Sequence, residues 1–516
     1  MTRRVTIIGG GPAGAFTARL LALRHPDWQV RLFERLPPDD TFGFGVGLTH
    51  GLLRAVEKAD PEVTRRLLAA VHPFSSARFE VPQGTVRFGQ FHSGAIRRAK
   101  LLRILLDSAA EAGAEVEIGR AVTVDEVSAD ADLVVAADGL SSPTRGKLAE
   151  LGAVTNLGRG AFIWCGAEVE LDGTVFMPVE TDAGTFVAHS YPYDRGLSTF
   201  VIEASRQTVE RAGFVGRTWG SDGESDDEAL AYLSAAFAGL LDGGKLFGNR
   251  SRWSHFTTLT CARWHSGNVV LLGDAVATVH PSLGSGTKVA LESAIALADA
   301  IDENGDRPLP AALPVFERNR RPKVERLQDT ARRSQLWWES FTARGDLSPS
   351  RLAVAYLSRA GVVSMTDLVT DMPELASRAS ADYAGVAPAD VALDDINTWL
   401  LAHPIEAHGM RFPGRLLKGP AEVSGVATIE IACGDAWGEE ADEYLERARG
   451  YVRSGARLIR LDGGDSRQAV LDRLAIAERL RRELAVAVGV SIDEQHVDLA
   501  ASGLVAGRTD LVWAAG

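Results

Sequence analysis

The spacing of apolar and polar positions changes several times along the chain, and each change predicts a different element. Residues 4–8 form a short apolar run that enters a glycine-rich turn, after which apolar positions recur at helical spacing from Ala13 to Arg24. A second run, "QVRLFE" at 29–34, completes a strand–helix–strand unit. The pattern then predicts a helix over 96–112, a strand in "AEVEIG" and a buried parallel strand in "ADLVVAADG". From 161 to 204 the period falls to two. "AFIWCGAEVEL", "TVFMPVET", "GTFVAHSYPY" and "LSTFVIEAS" are separated by DG, DAG and DRG turns, which is hairpin chemistry. The buried-strand pattern returns in "GNVVLLGDAVATVHP" at 267–281 and passes into a helix at 286–303.

Beyond that, 312–390 has helical spacing, with Trp337, Trp338 and Phe341 on one turn. A Pro-, Gly- and His-rich connector at 404–418 precedes alternating strands and helices, "VATIEIAC", 440–454, "RLIRLDGG", 466–483, "LAVAVGVSI" and "TDLVWAA". These make about four strands where a closed β/α barrel needs eight. The fold class expected is α/β: a discontinuous Rossmann-like domain over 1–160 and 262–330, and an inserted antiparallel sheet domain over 161–261 with part of 75–95. A helical segment over 331–403 and a partial β/α barrel-like domain over 404–516 would follow.

Composition narrows the partners. The chain has 516 residues, 46% of them hydrophobic, enough for two or three cores. A formal net charge of −13 argues against a general nucleic-acid surface. The basic stretch "RNRRPKVERLQDTARR" is interspersed with Glu325 and Asp329 and reads as the solvated face of a long helix. No apolar run approaches the roughly 20 residues of a membrane span, and the start leads directly into a strand, so a cytoplasmic location without a membrane partner is expected. Cys165, Cys261 and Cys433 are too scattered for a disulfide framework or zinc site, so buried thiols and no metal are expected.

Gly9, Gly11 and Gly14 stand at dinucleotide-binding spacing between strand and helix. The first permits the tight turn, the second lets backbone approach a diphosphate, and the third packs helix on strand, with the helix N-terminus supplying partial positive charge. Glu34 ends the second strand, where a carboxylate can accept hydrogen bonds from an adenosine ribose. Two more stretches favour FAD over NAD. One is Asp138-Gly139 in "DLVVAADGLSSPTR"; the other is Gly273-Asp274, followed by a Pro- and Gly-rich loop that opens a helix. Asp274 is placed to hold a ribityl hydroxyl, and the 281–287 loop with its helix end to stabilise charge on a reduced isoalloxazine. Taken singly, Asp274 reads equally as a helix cap.

Together these motifs resemble the aromatic hydroxylase (group A) flavoprotein monooxygenases over roughly residues 1–330. The resemblance implies FAD contacts at Gly9, Gly11, Pro12, Ala13, Gly14, Glu34, Arg35, Val46, Arg98, Asp138, Gly139, Gly273, Asp274, Gly284, Ser285, Gly286 and Thr287. It also implies NADH or NADPH as a transient reductant without a nucleotide domain of its own. "DDTFGFGVGLT", "AIRRAKLLRIL", "FIWCGAEVEL", "VAHSYPYDRGLSTFVIE" and "RRPKVERLQDTARRSQLWWES" further resemble the salicylyl-CoA 5-hydroxylase and anthraniloyl-CoA monooxygenase group, to about residue 400. Fused members of that group continue into an old-yellow-enzyme-like FMN barrel. The tail here is similar to a truncated remnant of one, so neither FMN nor ene-reductase activity is expected. Against the group, Phe44 stands where Trp is common and Pro281-Ser282-Leu283 replaces a Phe-Ser-Ile run.

The resemblance implies reduction of the flavin by NAD(P)H, addition of O2 at C4a, and transfer of an electrophilic oxygen to an electron-rich ring. A ring hydroxyl or amino group activates its ortho and para carbons, so salicylyl-CoA, hydroxylated at the ring 5-position, fits better than a benzoyl ester. Anthraniloyl, tryptophan-derived and carrier-bound rings are alternatives. His189, Tyr191 and Tyr193 alternate along one strand and so share a face. With His280, His50, Phe44 and Pro281 they are the pocket candidates, against structural roles for each. A homodimer is a further expectation. A flavin-dependent halogenase lacks support because no Trp-x-Trp-x-x-Pro segment is present; a prenyl reductase and a flavin-binding protein without turnover are the readings left to experiment.

Overall fold

The computed structural model describes residues 2–89, 93–217, 223–417 and 424–514. Residues 220–222 of the polar stretch at 220–228 and Lys418 of the connector lie outside them. The chain divides into two compact units, Met1–Ala77 with Phe91–Gln335, and Arg78–Gln90 with Leu336–Gly516.

In the first unit a six-stranded sheet runs in the order His265–Ser266, Val269–Leu271, Leu133–Ala136, Arg4–Ile8, Gln29–Glu34, Glu115–Ile118. Every pairing is parallel except the one made by His265–Ser266. Parallel strands covered on both faces need continuous apolar runs. Accordingly Val5, Ile7, Leu133, Val134, Val135, Val270 and Leu271 are all 1% exposed or less. Helix Pro12–Arg24 packs against Gly286–Asn304 and Arg98–Glu111, which closes the discontinuous domain across nearly 300 residues of sequence. The helix expected over 96–112 begins only at Arg98. Ile96 and Arg97 are instead taken by a strand, Ser93–Arg97, that pairs antiparallel with Gly45–Thr49.

The antiparallel sheet is built from Ala153–Ala167, Thr174–Thr181, Gly184–Asp194, Leu197–Ser205 and Ser254–Cys261. Its first strand starts eight residues earlier than the alternation suggested, because Ala153 to Leu157 are solvent-exposed and need no apolar face. Alternation assigns the two sides. Ile163, Cys165, Phe186, Ala188, Phe200 and Ile202 face a core closed by helices Arg206–Arg211, Asp227–Ala236 and Ala238–Leu241. Each fully buried Phe there contributes about 1.5–3 kcal/mol. Phe162, Trp164, Val187, His189, Tyr191, Thr199 and Glu203 take the opposite side.

In the second unit, helices Pro349–Leu357, Pro373–Ala384 and Ile396–Ala402 accompany a five-stranded parallel sheet. Its order is Leu416–Leu417, Leu511–Ala514, Ala487–Ile492, Leu458–Asp462, Val426–Glu430. One strand more than expected is present, and the connector contains a small hairpin, Ile405–Ala407 with Met410–Phe412. Helix Val497–Val505 also escaped the sequence reading, since its nearly uniform apolar character has no helical period. Leu401 and Tyr383 pack into the same core as Ile429, Leu461, Val488 and Leu474, so the helical segment and the tail share one interior. The long helix Leu313–Glu339 carries the basic stretch; Arg318, Lys323, Arg326 and Arg332 are exposed as expected, whereas Arg320 is buried and paired with Glu292 at 3.0 Å. All three cysteines are buried and free.

Candidate active site

The glycine-rich turn shows why its residue types are required. Gly9 has φ +100°, and a Cβ there would overlap the Ala137 carbonyl oxygen. A Cβ on Gly14 would overlap the Gly9 carbonyl oxygen, so this glycine seats the helix on the strand. At Gly11 the space beyond the missing Cβ is empty to 4 Å, and the backbone is an ordinary extended one, φ −63° and ψ 177°. The turn is thus tight below and open above, where Pro12 begins the helix and its first N–H groups are unsatisfied.

Glu34 lies at the rim of the same turn, where its carboxylate accepts from Gly10 N at 2.6 Å and Leu36 N at 2.9 Å. Arg35 beside it is exposed. Asp138 behaves differently from a simple ligand contact: one oxygen accepts from Ser142 Oγ at 2.6 Å and the other from Thr144 N at 3.1 Å, so the carboxylate caps its own turn. Gly139 follows with φ +83° and an open side. Arg145, which sequence reasoning passed over, ties this loop to the next. It donates to Ala275 O at 2.8 Å and to Leu140 O.

Gly273 has φ +63°, and a Cβ on it would press on the Ala13 side chain. The following Asp274 side chain is exposed to solvent yet crowded by protein on its other sides; that crowding pushes its pKa up, with Arg98 pulling it back. Burial in turn lowers the Arg98 guanidinium from its usual range. Asp274 is thus a carboxylate that solvent reaches from one side while protein surrounds the rest. Arg98 acts on Asp274 electrostatically without touching it as an ion pair, and its Nε donates to Thr41 Oγ1 at 3.1 Å. Beyond Asp274, Pro281 and Gly284 are exposed, Ser285 is buried, and Gly284 and Gly286 present open faces at the start of the helix that contains Thr287. Val46 is half-buried beside Gly47, whose side is also open.

Arg98 N donates to Phe44 O at 2.8 Å, and Phe44 belongs to an aromatic cluster with Tyr193, Tyr191, Trp164, Phe74 and Phe247. Trp164 donates from its ring nitrogen to Thr199 Oγ1 at 2.6 Å, and Phe44 meets the Trp164 and Phe247 rings edge-on at 6.2 and 5.4 Å. The "FGFG" stretch is explained by this packing: a side chain on Gly43 would enter the Trp164 ring and one on Gly45 the Tyr193 ring. Asn249 pins the same loop, donating to Thr41 O at 2.8 Å and Gly43 O at 3.1 Å. Tyr191 donates to Gly45 O at 3.0 Å, and burial pushes its hydroxyl well above the usual tyrosine range, so it is a donor rather than a base. Trp164, Phe247, Asn249 and Arg145 were missed because nothing local marks them; they meet through strand pairing and long-range packing.

The histidines separate. His189 lies on the same strand face as Tyr191 but further along, edge-on to Phe176 with Glu203 at 3.6 Å. His280 is 4% exposed, and its Nδ1 bonds Ser282 Oγ at 2.9 Å, which in turn bonds Ser334 Oγ at 2.7 Å. Its ring abuts Phe256, itself stacked at 3.9 Å on Phe162 of the same sheet face as Trp164. His50 is exposed at the start of helix His50–Ala59. Among the described residues no group of three or more His, Cys, Asp or Glu could hold a metal ion, and no helix is long and apolar enough to cross a membrane.

Comparison with known proteins gives the family and the fold. The family model described as an FAD binding domain matches residues 2–331. The chain is 34% identical over 542 aligned residues to salicyloyl-CoA 5-hydroxylase of a Streptomyces species, covering 99% of each, so the tail lies inside the similarity. It is 37% identical over 369 residues to 3-hydroxy-4-methyl-anthranilyl-[aryl-carrier protein] 5-monooxygenase of Streptosporangium sibiricum, covering 71% of this chain and 97% of that one. Among solved structures, a tetrameric form of 2-methyl-3-hydroxypyridine-5-carboxylic acid oxygenase superposes with a TM-score of 0.52 at 22% identity, covering 70% of this chain and 96% of that one, a likeness of fold.

Proposed function

We propose, for a chain that belongs to the FAD binding domain family and is an FAD-dependent aromatic monooxygenase, that its substrate is a ring activated by a hydroxyl or amino group and carried as an acyl thioester. Salicyloyl-CoA, hydroxylated para to its hydroxyl, is the specific reading, with NADH or NADPH as reductant. The observation that supports it most is the end-to-end similarity to the Streptomyces enzyme together with an aromatic cluster beside an open glycine cradle. A second reading, a ring held on an aryl carrier protein, is favoured by the Streptosporangium relative.

The residues present fit FAD. Gly11, Gly139, Gly284 and Gly286 leave open space at backbone that a diphosphate and a flavin can approach, and Asp274 offers a carboxylate to a ribityl hydroxyl. Glu34 would be the residue to hold an adenosine ribose, and Arg98 would supply positive charge toward the diphosphate. When bound, FAD supplies the activation of O2. The protein's own share is placement: Trp164, Phe44 and Phe247 form apolar walls for a planar ring and keep water from it. Asn249 and Arg98 hold the 41–44 loop that carries Phe44. His280, joined through Ser282 to Ser334, fixes the 281–284 turn and would be the group offered to a substrate hydroxyl.

The test is O2-dependent NADH and NADPH oxidation by the FAD-loaded protein with salicyloyl-CoA and free salicylate in parallel. Stimulation by the thioester alone, with a product one oxygen heavier, supports the reading. Stimulation by the free acid alone removes the carrier from it, and none by either removes salicyloyl-CoA and leaves the carrier-protein reading.

A further inference from the structure

A second polar centre lies in the other unit, made of residues that have no role in the site described above. Three guanidinium groups, from Arg351, Arg415 and Arg481, gather around the ring of Tyr383. Arg415 lies 4.7 Å and Arg351 5.8 Å from its centroid, and all three act electrostatically on its hydroxyl. They come from separate places in the sequence: a helix, the residue before strand Leu416–Leu417, and the end of helix Arg467–Glu483. They converge because the connections entering strands Ala487–Ile492 and Leu511–Ala514 meet there.

Charge does not balance within this cluster. The carboxylate in contact is Asp510, whose oxygens are already used by Arg481 at 2.7 Å and by Val488 N at 3.0 Å. Asp346 and Asp382 act on Arg351 from further off, Asp346 paired with Arg482 at 2.6 Å and Asp382 accepting from Ser348 and Ser350. The remaining donors go to backbone: Arg351 to Val505 O at 2.8 Å, Arg481 to Gly507 O, and Arg415 through two long bonds of 3.3 Å to His403 O and Asp510 O. Burial pulls the Arg351 and Arg415 guanidiniums down, as expected where cations lack full compensation. The Tyr383 hydroxyl and Arg481 Nε are buried with no hydrogen-bond partner among the described residues. Burial also lifts that hydroxyl to about 12, so it is a standing donor.

Three cations against Asp510 and the more distant Asp382 leave a surplus of one positive charge beside donors with nothing to donate to. Guanidinium forks match phosphate oxygens in geometry and charge. We infer that Arg351, Arg415, Arg481 and Tyr383 form a binding site for a phosphate group, distinct from the flavin site and independent of the proposed function. The phosphate has two possible sources: the free anion, or a phosphate carried by a larger molecule such as a CoA ester.

Calorimetry on the full-length FAD-loaded protein with inorganic phosphate, diphosphate and CoA as separate probes tests the site. Saturable binding of at least one is expected. A similar affinity for phosphate and CoA identifies the free anion, whereas CoA at least about tenfold tighter identifies a carried phosphate; both support the site. Tyr383→Phe keeps the ring under the guanidiniums and removes only the donor, so thermal stability without ligand should hold while affinity falls about tenfold or more. Arg415→Gln should weaken binding further. No saturable binding by any probe, or affinities unchanged in both variants, would overturn the inference and leave the arginines as scaffolding.

Discussion

Substituting the glycines of the first turn one at a time separates its two faces. Gly11→Ala adds a methyl where the nearest protein atom is more than 4 Å away, at a backbone conformation that alanine adopts freely. The lost preference for Gly over Ala at the N-cap costs roughly 0.5–1 kcal/mol, and the reduced freedom of the unfolded chain returns about 0.4–1 kcal/mol. The two nearly cancel, so the unfolding midpoint of the apoprotein should move by no more than a degree or two. The same methyl projects into the space through which a diphosphate reaches the backbone N–H groups. Loss of one charge-assisted bond, about 1.5–3 kcal/mol, predicts FAD binding weakened on the order of tenfold to a hundredfold. Gly14→Ala is the counterpart. Its methyl lies closer than 3.0 Å to the Gly9 carbonyl oxygen, a backbone atom that cannot move aside, so destabilisation of at least about 1–3 kcal/mol is expected before any ligand is added. Apoprotein melting and titration of flavin fluorescence quenching measure both quantities. Unchanged FAD affinity in Gly11→Ala, or equal loss of apoprotein stability in the two variants, would refute the assignment of an open upper face and a packed lower one.

Other consequences concern the aromatic cluster and the second unit. Trp164→Leu removes the ring wall and the bond to Thr199, so KM for the aromatic substrate should rise about tenfold or more, with flavin affinity near wild type by fluorescence titration. Because burial holds the Tyr191 hydroxyl protonated, the pH profile of kcat should show no step assignable to it between about pH 6 and 9. Tyr191→Phe should lower activity by a constant factor across that range. In the second unit, Arg344 and Glu478 form an ion pair at 2.7 Å with both side chains 2% exposed. Glu478→Ala strands the guanidinium and should cost about 3–5 kcal/mol by denaturant unfolding, whereas replacing both by apolar residues of similar size should cost far less.

How much of this was legible depended on whether the chemistry was local. Gly9, Gly14 and Gly273 could be read directly because a positive φ or a backbone-to-backbone approach leaves no other residue type, and Asp274 because it follows Gly273 at the end of a buried strand. The parallel and antiparallel sheets announced themselves by continuous and alternating apolar runs. The 153–157 stretch did not, since an exposed strand has no face to hide. Asp138 also caps its own turn, which could not be read because it depends on where Ser142 and Thr144 fold back. The aromatic cluster was half legible. Phe44 and the strand tyrosines were singled out, while Trp164 and Phe247 join them only through pairing between strands 80 residues apart. In the tail, the shared interior with the helical segment could not be seen, because apolar faces name no partner.

The central claim, oxygen insertion into a thioester-bound aromatic ring, is tested most directly with isotopically heavy O2. FAD-loaded protein, NADH and salicyloyl-CoA should yield a hydroxylated thioester that carries one heavy oxygen atom on its ring, and none when labelled water replaces labelled gas. NADH consumption with hydrogen peroxide as the sole product, or a product whose added oxygen comes from water, would contradict the account.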